Sequence, residues 1–297
     1  MQELRSSGVW LRTGPFQTHL QTSIEPVARA IHLLYADFPV LENPEFADFH
    51  VRLERPRNLR RWYRPQVMFY FDDEIPFKPL ALSQAFAMFE WSLNWCVSSH
   101  AHQYLIIHAA NIEYRGSAVI MAAPPGSGKS TLTAGLISRG WRLLSDELTL
   151  INPADGMATP IARPVGLKNK SIEVIRNFVP DAVIGPPSSD TVKGTVAHLK
   201  PPTDSVKRAD EAALPQWVIF PKFEAGSPAL LSPYPKPTAL LRLADNSFNY
   251  SQHGVNGFET LSELIGRCDC YEFVYSSLEE AIAVFDSLAL PVRATGG

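Results

Sequence analysis

The stretch SAVIMAAPPGSGKSTLTAGLIS, residues Ser117 to Ser138, decides the fold that the sequence predicts. A short apolar run is followed by a glycine-rich segment and then by an amphipathic pattern typical of a helix. The pattern G-x-x-x-x-G-K-[ST] of phosphate-binding loops is met at Gly128, Lys129 and Ser130, whereas Ala123 replaces its first glycine. The stretch therefore predicts a strand, a phosphate-binding loop and a helix.

The predicted loop combines the groups that bind a polyphosphate. Its backbone N–H groups and the positive end of the helix would surround the phosphates. Lys129 would add a positive charge, and the Ser130 hydroxyl would bind Mg²⁺, so we expect ATP and Mg²⁺ as cofactors. A turn that merely connects a strand to a helix is the alternative, but it would leave the charge of Lys129 without an anion. The predicted binding residues are Ala123, Pro124, Pro125, Gly126, Ser127, Gly128, Lys129, Ser130 and Thr131.

Length, composition and charge limit the class of protein. A chain of 297 residues fits one large domain or two ordinary ones. No apolar run approaches the roughly 18 residues of a membrane span. The first sixteen residues lack the apolar segment of a secretory signal, and three cysteines are too few for a disulfide framework, so we expect a cytoplasmic protein. A net charge of −3 disfavours nucleic acid as a partner.

Hydrophobic periodicity predicts two regions, an N-terminal α+β region over residues 1–100 and a catalytic domain over residues 101–297. The first region could pack into the same core as the second. Residues 1–24 lack periodicity and are predicted to form an arm or edge segment. The elements expected after them are helices over 25–35 and 80–99 and strands over 48–53 and 67–71.

The strand before the loop is predicted to lie in a hairpin. Residues 104–114 and 117–121 have strand patterns and are separated by the two-residue turn Arg115-Gly116, which favours antiparallel pairing. In doubly wound nucleotide-binding folds, the corresponding strand lies in a parallel sheet. We therefore expect an α/β fold with a mixed, partly antiparallel sheet.

The later part of the chain has a long segment of low regularity. Residues 162–202 are rich in proline, glycine, serine and lysine, which is typical of a functional lid or of disorder, with one short helix over 171–178. Core elements are expected at 217–221 and 239–243, and helices at 258–267 and 277–288.

Two clusters each have two interpretations. Six arginines between Arg52 and Arg64 are interleaved with Trp62 and Tyr63, a composition that could bind phosphates or stack on a base. A solvated hairpin edge is the interpretation that we favour, because arginine discourages sheet extension. Cys268 and Cys270 have C-x-C spacing, but a zinc site would need further ligands, so buried thiols are favoured.

An acidic pair, Asp146 and Glu147, follows an apolar strand seventeen residues after Lys129. One carboxylate would bind Mg²⁺, and the other would accept the proton of an attacking hydroxyl or water. Solvated acids in a turn at the strand end are the alternative. His108 ends the apolar run YLIIH, where it either packs in the core or reaches the Asp146 carboxylate.

In this order, His108, the loop and the acidic pair resemble the HprK-related kinase A family, an HPr kinase/phosphorylase-like group associated with exosortase and PEP-CTERM systems. The similarity covers about residues 25–290. The resemblance implies a P-loop kinase domain of the HPr kinase / phosphoenolpyruvate carboxykinase type. The phrases that carry it are EWSLNWC (Glu90 to Cys96), YLIIHAA (Tyr104 to Ala110), APPGSGKST (Ala123 to Thr131), GWRLLSDE (Gly140 to Glu147), RPVGLKNKSI (Arg163 to Ile172) and KGTVAHLKPP (Lys193 to Pro202).

Residue roles follow from the resemblance. Lys129 and the loop amides would bind the β- and γ-phosphates, Ser130 would bind Mg²⁺, and Asp146 would be the catalytic base. Glu147 stands where these kinases usually have a second aspartate, which implies a metal-binding role, and His108 matches the histidine that accompanies the base. The N-terminal region and the segment after the acidic pair depart from the HPr kinase pattern, so neither dephosphorylation nor HPr as substrate is implied. Candidate substrate or phosphate contacts are Arg163, Lys168, Lys170 and Lys193.

The function expected from the sequence is an ATP- and Mg²⁺-dependent phosphotransferase acting on a hydroxyl, with serine of a protein or peptide as the favoured acceptor. A small-molecule hydroxyl is the variant within that class. A regulatory NTPase and a nucleotide-binding assembly protein without turnover are the alternatives from other classes. The resemblance also implies a homo-oligomer.

Overall fold

The described chain contains both helices and strands throughout and has a mixed α/β architecture. The structure is a computed structural model, and it describes residues 2–42 and 44–289. The strands are β1 (Val9–Thr13), β2 (Phe16–Thr22), β3 (Val40–Leu41), β4 (Phe49–Glu54), β5 (Gln66–Phe71), β6 (Leu80–Ala81), β7 (Leu105–His108), β8 (Ala110–Tyr114), β9 (Ser117–Met121), β10 (Arg142–Ser145), β11 (Leu148–Ile151), β12 (Ala158–Thr159), β13 (Val165–Lys168), β14 (Ser188–Thr191), β15 (Gly194–Leu199), β16 (Leu214–Phe223), β17 (Leu230–Pro233) and β18 (Asp269–Tyr275).

The helices are shorter on average than the segments between them. The α-helices are α1 (Gln2–Arg5), α2 (Glu25–Leu34), α3 (Ala85–His100), α4 (Lys129–Ile137), α5 (Lys170–Phe178), α6 (Thr203–Lys207), α7 (Lys236–Asp245), α8 (Tyr250–His253), α9 (Val255–Arg267) and α10 (Leu278–Leu288), and 3₁₀ helices cover Leu59–Arg61 and Leu82–Gln84. Within the described residues, no helix has the length and apolar character needed to cross a membrane.

Contacts between residues divide the chain into two compact units. Unit 1 contains the chain up to Gln103 together with Thr159–Glu211, and unit 2 contains Tyr104–Ala158 together with the chain from Ala212 onwards. The sequence-based division assigned residues 159–211 to the C-terminal domain, whereas their contacts group them with the N-terminal residues. Unit 1 is therefore assembled from two separate pieces of sequence.

Unit 1 is built on a sheet with strand order β3-β1-β2-β4-β5-β6. The predicted pairing of β4 with β5 is confirmed, and both of these strands lie inside the sheet. The prediction that residues 1–24 form an arm or edge segment is wrong, because β1 and β2 form a hairpin in which β2 pairs with β4. Every second residue of β2 is buried, which is the pattern of a strand with one face on a core.

The region from residue 162 to residue 202 is also more regular than predicted. β13, β15 and β14 form a three-stranded antiparallel sheet, and the expected short helix is α5. Val165 and Leu167 are fully buried, so their alternation marks a strand that the surrounding proline, glycine and lysine residues obscure. β14 has the sequence Ser-Ser-Asp-Thr, and a hydrophobic pattern could not have predicted it.

Unit 2 contains a mixed six-stranded sheet with order β10-β8-β9-β16-β18-β17. The predicted hairpin is confirmed, since β8 and β9 are antiparallel and Tyr114 pairs with Ser117. Arg115 and Gly116 both have positive φ, as a tight hairpin turn requires. On its other side β9 pairs in parallel with β16, so the strand before the loop has one antiparallel and one parallel neighbour.

Unit 2 also contains a three-stranded sheet with order β12-β11-β7. The predicted single strand over 104–114 is divided at Ala109 into β7 and β8, which belong to different sheets. The chain after α4 changes sheet in the same way. β10 belongs to the six-stranded sheet and β11 to the three-stranded sheet, and Asp146 and Glu147 lie between them. The acidic pair thus lies at the junction of the two sheets.

A buried ion pair joins two strands of the six-stranded sheet. The Arg142 side chain, on β10, donates from Nε to Oε2 of Glu113, on β8, at 2.5 Å, and the two side chains are 3% and 2% exposed. Charges removed from water are stable only when their partner stays in place. Removing either member would therefore leave an uncompensated buried charge. The Arg242–Glu272 pair of the same unit differs, because its side chains are 31% and 55% exposed and water can solvate either charge.

We predict that Glu113→Ala lowers the free energy of unfolding by about 3–5 kcal/mol, because it leaves a buried guanidinium without its carboxylate. Glu272→Ala, the matched change at the exposed pair, should cost about 0–1 kcal/mol. Urea unfolding followed by circular dichroism measures both. Equal losses for the two variants would show that the buried pair contributes no more than the surface pair.

Candidate functional site

The loop between β9 and α4 contains two glycines with positive φ and leads directly into a helix. β9 ends at Met121, and the chain turns through residues 122–128 before α4 starts at Lys129. Gly126 and Gly128 both have φ of 87°, a conformation that glycine adopts at little cost. The first turn of a helix leaves backbone N–H groups without intrahelical partners, and here they follow directly after Gly128.

Two aromatic residues that the sequence did not indicate donate hydrogen bonds to backbone carbonyls of the loop. The Tyr275 hydroxyl donates to the Gly128 carbonyl at 2.9 Å, and the Phe223 backbone N–H donates to the Ser127 carbonyl at 2.8 Å. Burial raises the pKa of Tyr275 above its usual range, so this hydroxyl keeps its proton at neutral pH. No local pattern could have identified them, because Tyr275 lies 147 residues from Gly128 in the sequence.

The two glycines of the loop have different surroundings. A Cβ added to Gly128 would lie 2.5 Å from Oη of Tyr275 and 2.9 Å from Cβ of Phe223. A Cβ added to Gly126 would meet no atom within 4 Å. Gly128 is thus needed because a larger residue would collide with Tyr275 and Phe223. Gly126 faces open space, where a ligand would lie.

Lys129 connects the loop to the acidic pair. Its side chain is mostly buried, with 9% of the residue exposed, and Nζ donates to the backbone carbonyl of Asp146 at 2.5 Å. Thr133, one turn later in α4, donates from its hydroxyl to the Lys129 carbonyl. The structure therefore brings together Lys129 and Asp146, which the sequence analysis had assigned to one site.

The acidic pair forms the turn from β10 to β11. Ser145 closes this turn, since its Oγ accepts from the Leu148 N–H at 3.0 Å. Asp146 is 5% exposed and Glu147 is half-buried. A carboxylate at such a buried position requires nearby positive charge or hydrogen-bond donors. The ammonium of Lys129, which is bound to the same residue's backbone, supplies positive charge at this turn.

His108 lies beside the acidic turn. It is the last residue of β7 and pairs with Leu148, the first residue of β11. Its backbone N–H donates to the Asn246 carbonyl at 2.7 Å, and its ring centroid is 5.6 Å from that of Phe248. The strand register therefore places His108 next to the end of the Asp146–Glu147 turn, with its ring packed on an aromatic neighbour.

The four basic residues predicted as substrate contacts all belong to unit 1. Arg163 is buried and donates from Nη2 to Oδ1 of Asn94, and Lys193 Nζ lies 5.4 Å from the Trp91 ring centroid. Lys168 ends β13 and Lys170 begins α5. Arg163 and Lys193 thus have partners within unit 1, and the contacts of the four residues with a substrate stay a prediction.

The donor set at the loop fits a magnesium–nucleotide group. Among the described residues, no three His, Cys, Asp or Glu side chains converge on one metal position. Mg²⁺ does not require such a cluster, because it is commonly bound by one or two carboxylates together with phosphate oxygens. Ser130, Asp146 and Glu147 would supply that smaller set. Ser127 Oγ is buried without a hydrogen-bond partner within the described residues, which also fits a ligand at this loop.

The C-x-C pair lies away from the loop, in the core of unit 2, where both thiols are buried as predicted. Cys268 donates from Sγ to the Pro215 carbonyl at 3.3 Å. Burial raises the pKa of Cys268 to about 12 and also raises that of Cys270. Thiols in this state are protonated at neutral pH and act as core residues.

Comparison with protein families found one match. Residues 83–161 match the family model described as ScmC, a SynChlorMet cassette protein. The matched residues contain the loop, the acidic pair and His108, but they cover less than half of the chain. A search of curated proteins found no match.

The sequence-based identification with the HprK-related kinase A family is wrong, since the family whose model matches is ScmC. The error has a physical origin. Phrases such as APPGSGKST and GWRLLSDE describe a glycine turn before a helix and the end of a strand, and unrelated phosphate-binding proteins share such local features. They indicate a type of site and do not identify a family.

The different surroundings of the two loop glycines generate a prediction. Gly126→Ala should lower the free energy of unfolding by about 1–2 kcal/mol, the strain of an alanine at positive φ. Gly128→Ala should cost clearly more, because the added Cβ also collides with Tyr275 and Phe223. Thermal unfolding measures the difference.

Tyr275→Phe provides a second comparison. It removes the hydroxyl that a Gly128→Ala methyl group would meet. The cost of Gly128→Ala should therefore be smaller in the Tyr275→Phe background than in the wild type. Identical costs in both backgrounds would mean that the Tyr275 hydroxyl does not restrict the loop.

Proposed function

We propose that this chain is an ATP- and Mg²⁺-dependent phosphotransferase with a P-loop kinase fold, which transfers the γ-phosphoryl group to a hydroxyl. The observation that carries the proposal is the contact between Lys129, at the start of α4, and the backbone of Asp146. This contact supports a site in which Lys129 would bind phosphate beside the residue that carries a buried carboxylate. Phosphoryl transfer requires this combination, because most of its catalysis comes from positioning and charge.

Binding of the phosphates is assigned to the loop. The N–H groups at the start of α4, in the positive field of the helix end, would donate to the phosphate oxygens, and Lys129 would add its charge. Mg²⁺, when bound, would neutralise charge on the phosphates. Ser130 and Glu147 are the residues assigned to it, with Asp146 as a further ligand.

Transfer itself is assigned to Asp146. The acceptor oxygen would form a bond to the γ-phosphorus while the bond to the bridging oxygen of the leaving diphosphate breaks. The hydroxyl proton would pass to the Asp146 carboxylate. His108, next to this turn, would act as a positioning residue for the carboxylate. Its contribution would be smaller than that of the base, since it would act through Asp146.

We further propose a cytoplasmic location for the reaction. All three cysteines are free thiols. Free thiols are typical of a reducing compartment, where ATP is also available as the phosphoryl donor. The acceptor that we favour is serine of a protein or peptide, and a small-molecule hydroxyl is the variant within the same reaction class.

Two substitutions separate binding from transfer. Lys129→Ala should lose ATP binding and transfer together, because it removes a charge that holds the phosphates. Asp146→Asn should leave ATP binding nearly intact and lower transfer by about 10²–10⁴-fold, the contribution of a positioned base. Calorimetry with ATP and Mg²⁺ measures binding, and γ-labelled ATP measures transfer.

Lys222→Ala is the matched control for the loss of a lysine. Lys222 belongs to the same unit and is paired with the exposed Glu224, so this variant should bind and transfer as the wild type does. Transfer by Asp146→Asn at the wild-type rate would refute its assignment as the base. Tight ATP binding by Lys129→Ala would refute the assignment of the loop.

The acceptor can be identified by incubating the protein with γ-labelled ATP and a lysate of its native host. We expect a labelled protein or peptide that is absent when Asp146→Asn replaces the wild type. A labelled metabolite would assign a small-molecule hydroxyl instead. Release of free phosphate at a rate that no added acceptor changes would contradict the kinase assignment. It would instead indicate a regulatory NTPase in which Glu147 directs the attacking water.

A further inference from the structure

The segment joining β4 to β5, residues 55–65, carries a concentrated positive charge, and we call it the arginine loop. Its arginines are Arg55, Arg57, Arg60, Arg61 and Arg64. No acidic residue occurs between residues 55 and 71. Within the described part of the chain, none of the five arginines forms an ion pair, whereas Arg52, just before the loop, pairs with Glu54 and Asp73.

The strand pairing beside the loop bears on the edge interpretation that the sequence favours. Arginines that protect a sheet edge must lie on an edge strand. Here β5 pairs with β4 over Met68–Phe71, and the two-residue strand β6 pairs with its first two residues, Gln66 and Val67. Protection of a sheet edge would account for the charge of the loop, but it would not account for exposed apolar side chains in the same segment.

Three large apolar side chains are exposed on the same loop. Leu59 is 83% exposed, Trp62 78% and Tyr63 67%. Leu59 and Trp62 begin and follow the 3₁₀ helix, which therefore presents hydrocarbon between arginines. Exposed apolar groups surrounded by charge are typical of an interaction surface.

A cavity of about 380 Å³ opens beside these side chains. Its polar lining consists of Arg60 and Arg64 from the loop, Gln66 from β5 and Ser83 from the following 3₁₀ helix. Guanidinium, amide and hydroxyl groups all donate hydrogen bonds, and two guanidinium groups favour a phosphate-bearing ligand. The loop thus combines a cavity lined by two guanidinium groups with exposed hydrocarbon.

We propose that the arginine loop docks the protein on an anionic phospholipid surface. Leu59, Trp62 and Tyr63 would enter the interface between headgroups and acyl chains, where aromatic side chains are preferred. The arginines would bind headgroup phosphates, with Arg60 and Arg64 holding one of them in the cavity. Clusters of four or more basic residues beside apolar groups are typical of binding to anionic lipids.

The details favour lipid over nucleic acid. The Arg61 and Arg64 guanidinium groups lie 5.7 and 5.6 Å from the ring centroids of Trp62 and Tyr63. One face of each ring is therefore already covered, and a stacking base would compete with these cations. Leu59 offers a base no aromatic ring to stack on and a phosphate no hydrogen-bond donor, whereas its side chain would lose contact with water in a lipid interface.

Sedimentation with vesicles tests the proposal on the full chain. The wild type should sediment with an equal mixture of phosphatidylcholine and phosphatidylglycerol and stay in solution with phosphatidylcholine alone. Leu59→Ser combined with Trp62→Ala, and separately Arg60→Gln combined with Arg64→Gln, should each lower the partition coefficient by about tenfold or more. Added salt should weaken binding of the wild type, because it screens the arginines.

Leu241→Ser combined with Arg176→Gln is the matched control, since it removes one exposed leucine and one exposed arginine elsewhere and should bind as the wild type does. All substituted side chains are exposed, so unchanged melting temperatures should accompany the effects. No sedimentation with the anionic vesicles, or equal sedimentation of the loop variants and the wild type, would overturn the proposal. Tighter loop-dependent binding to a single-stranded oligonucleotide than to these vesicles would also overturn it and would assign a nucleic-acid partner.

Discussion

The hydrogen bonding of β9 on both of its edges is the constraint on which the rest of unit 2 depends. β8 pairs with it antiparallel and β16 pairs with it parallel, so the strand is fixed along its whole length. The first backbone that leaves the sheet follows Met121, and Ala122 still donates to the Ile219 carbonyl. The glycine turn therefore starts from a fixed point, which a loop needs if its amides are to converge on one anion.

The parallel side of that pairing has a second consequence. β16 and β18 run in the same direction as β9, so their carboxyl ends meet at the edge where the loop begins. Phe223 and Tyr275 are the last residues of these two strands. The sheet that positions the start of the loop thus also positions its two hydrogen-bond donors. These are the Phe223 N–H, which binds the Ser127 carbonyl, and the Tyr275 hydroxyl, which binds the Gly128 carbonyl. An antiparallel neighbour in place of β16 would have directed its carboxyl end to the opposite edge.

Local signals predicted the elements whose causes are local. The glycines of the loop, the Arg115-Gly116 turn and the periodicity of α2 all act over a few residues, and the structure has the corresponding loop, hairpin and helix. β14 was missed because its residues are polar, and its stability comes from pairing with β15. Tyr275 was missed because its contact with the loop exists only after the sheet has formed.

The candidate site shows the same division between local and distant causes. Asp146 and Lys129 could be proposed as partners because strand ends near a phosphate loop commonly carry acids. The sequence could not predict that Lys129 contacts the backbone carbonyl of Asp146, because this contact depends on β10 and β11 belonging to different sheets. That change of sheet turns the backbone, and the carbonyl of Asp146 becomes the acceptor for Lys129.

This contact gives the lysine a function before any ligand arrives. A mostly buried ammonium is costly without an acceptor, and the Asp146 carbonyl supplies one. A phosphate near the loop would compete for the same ammonium, and its full charge would attract Nζ more strongly than a carbonyl dipole does. Ligand binding at the loop would therefore alter the restraint on the turn that carries Asp146. Recognition of a phosphate and placement of the carboxylate would then be linked through one hydrogen bond.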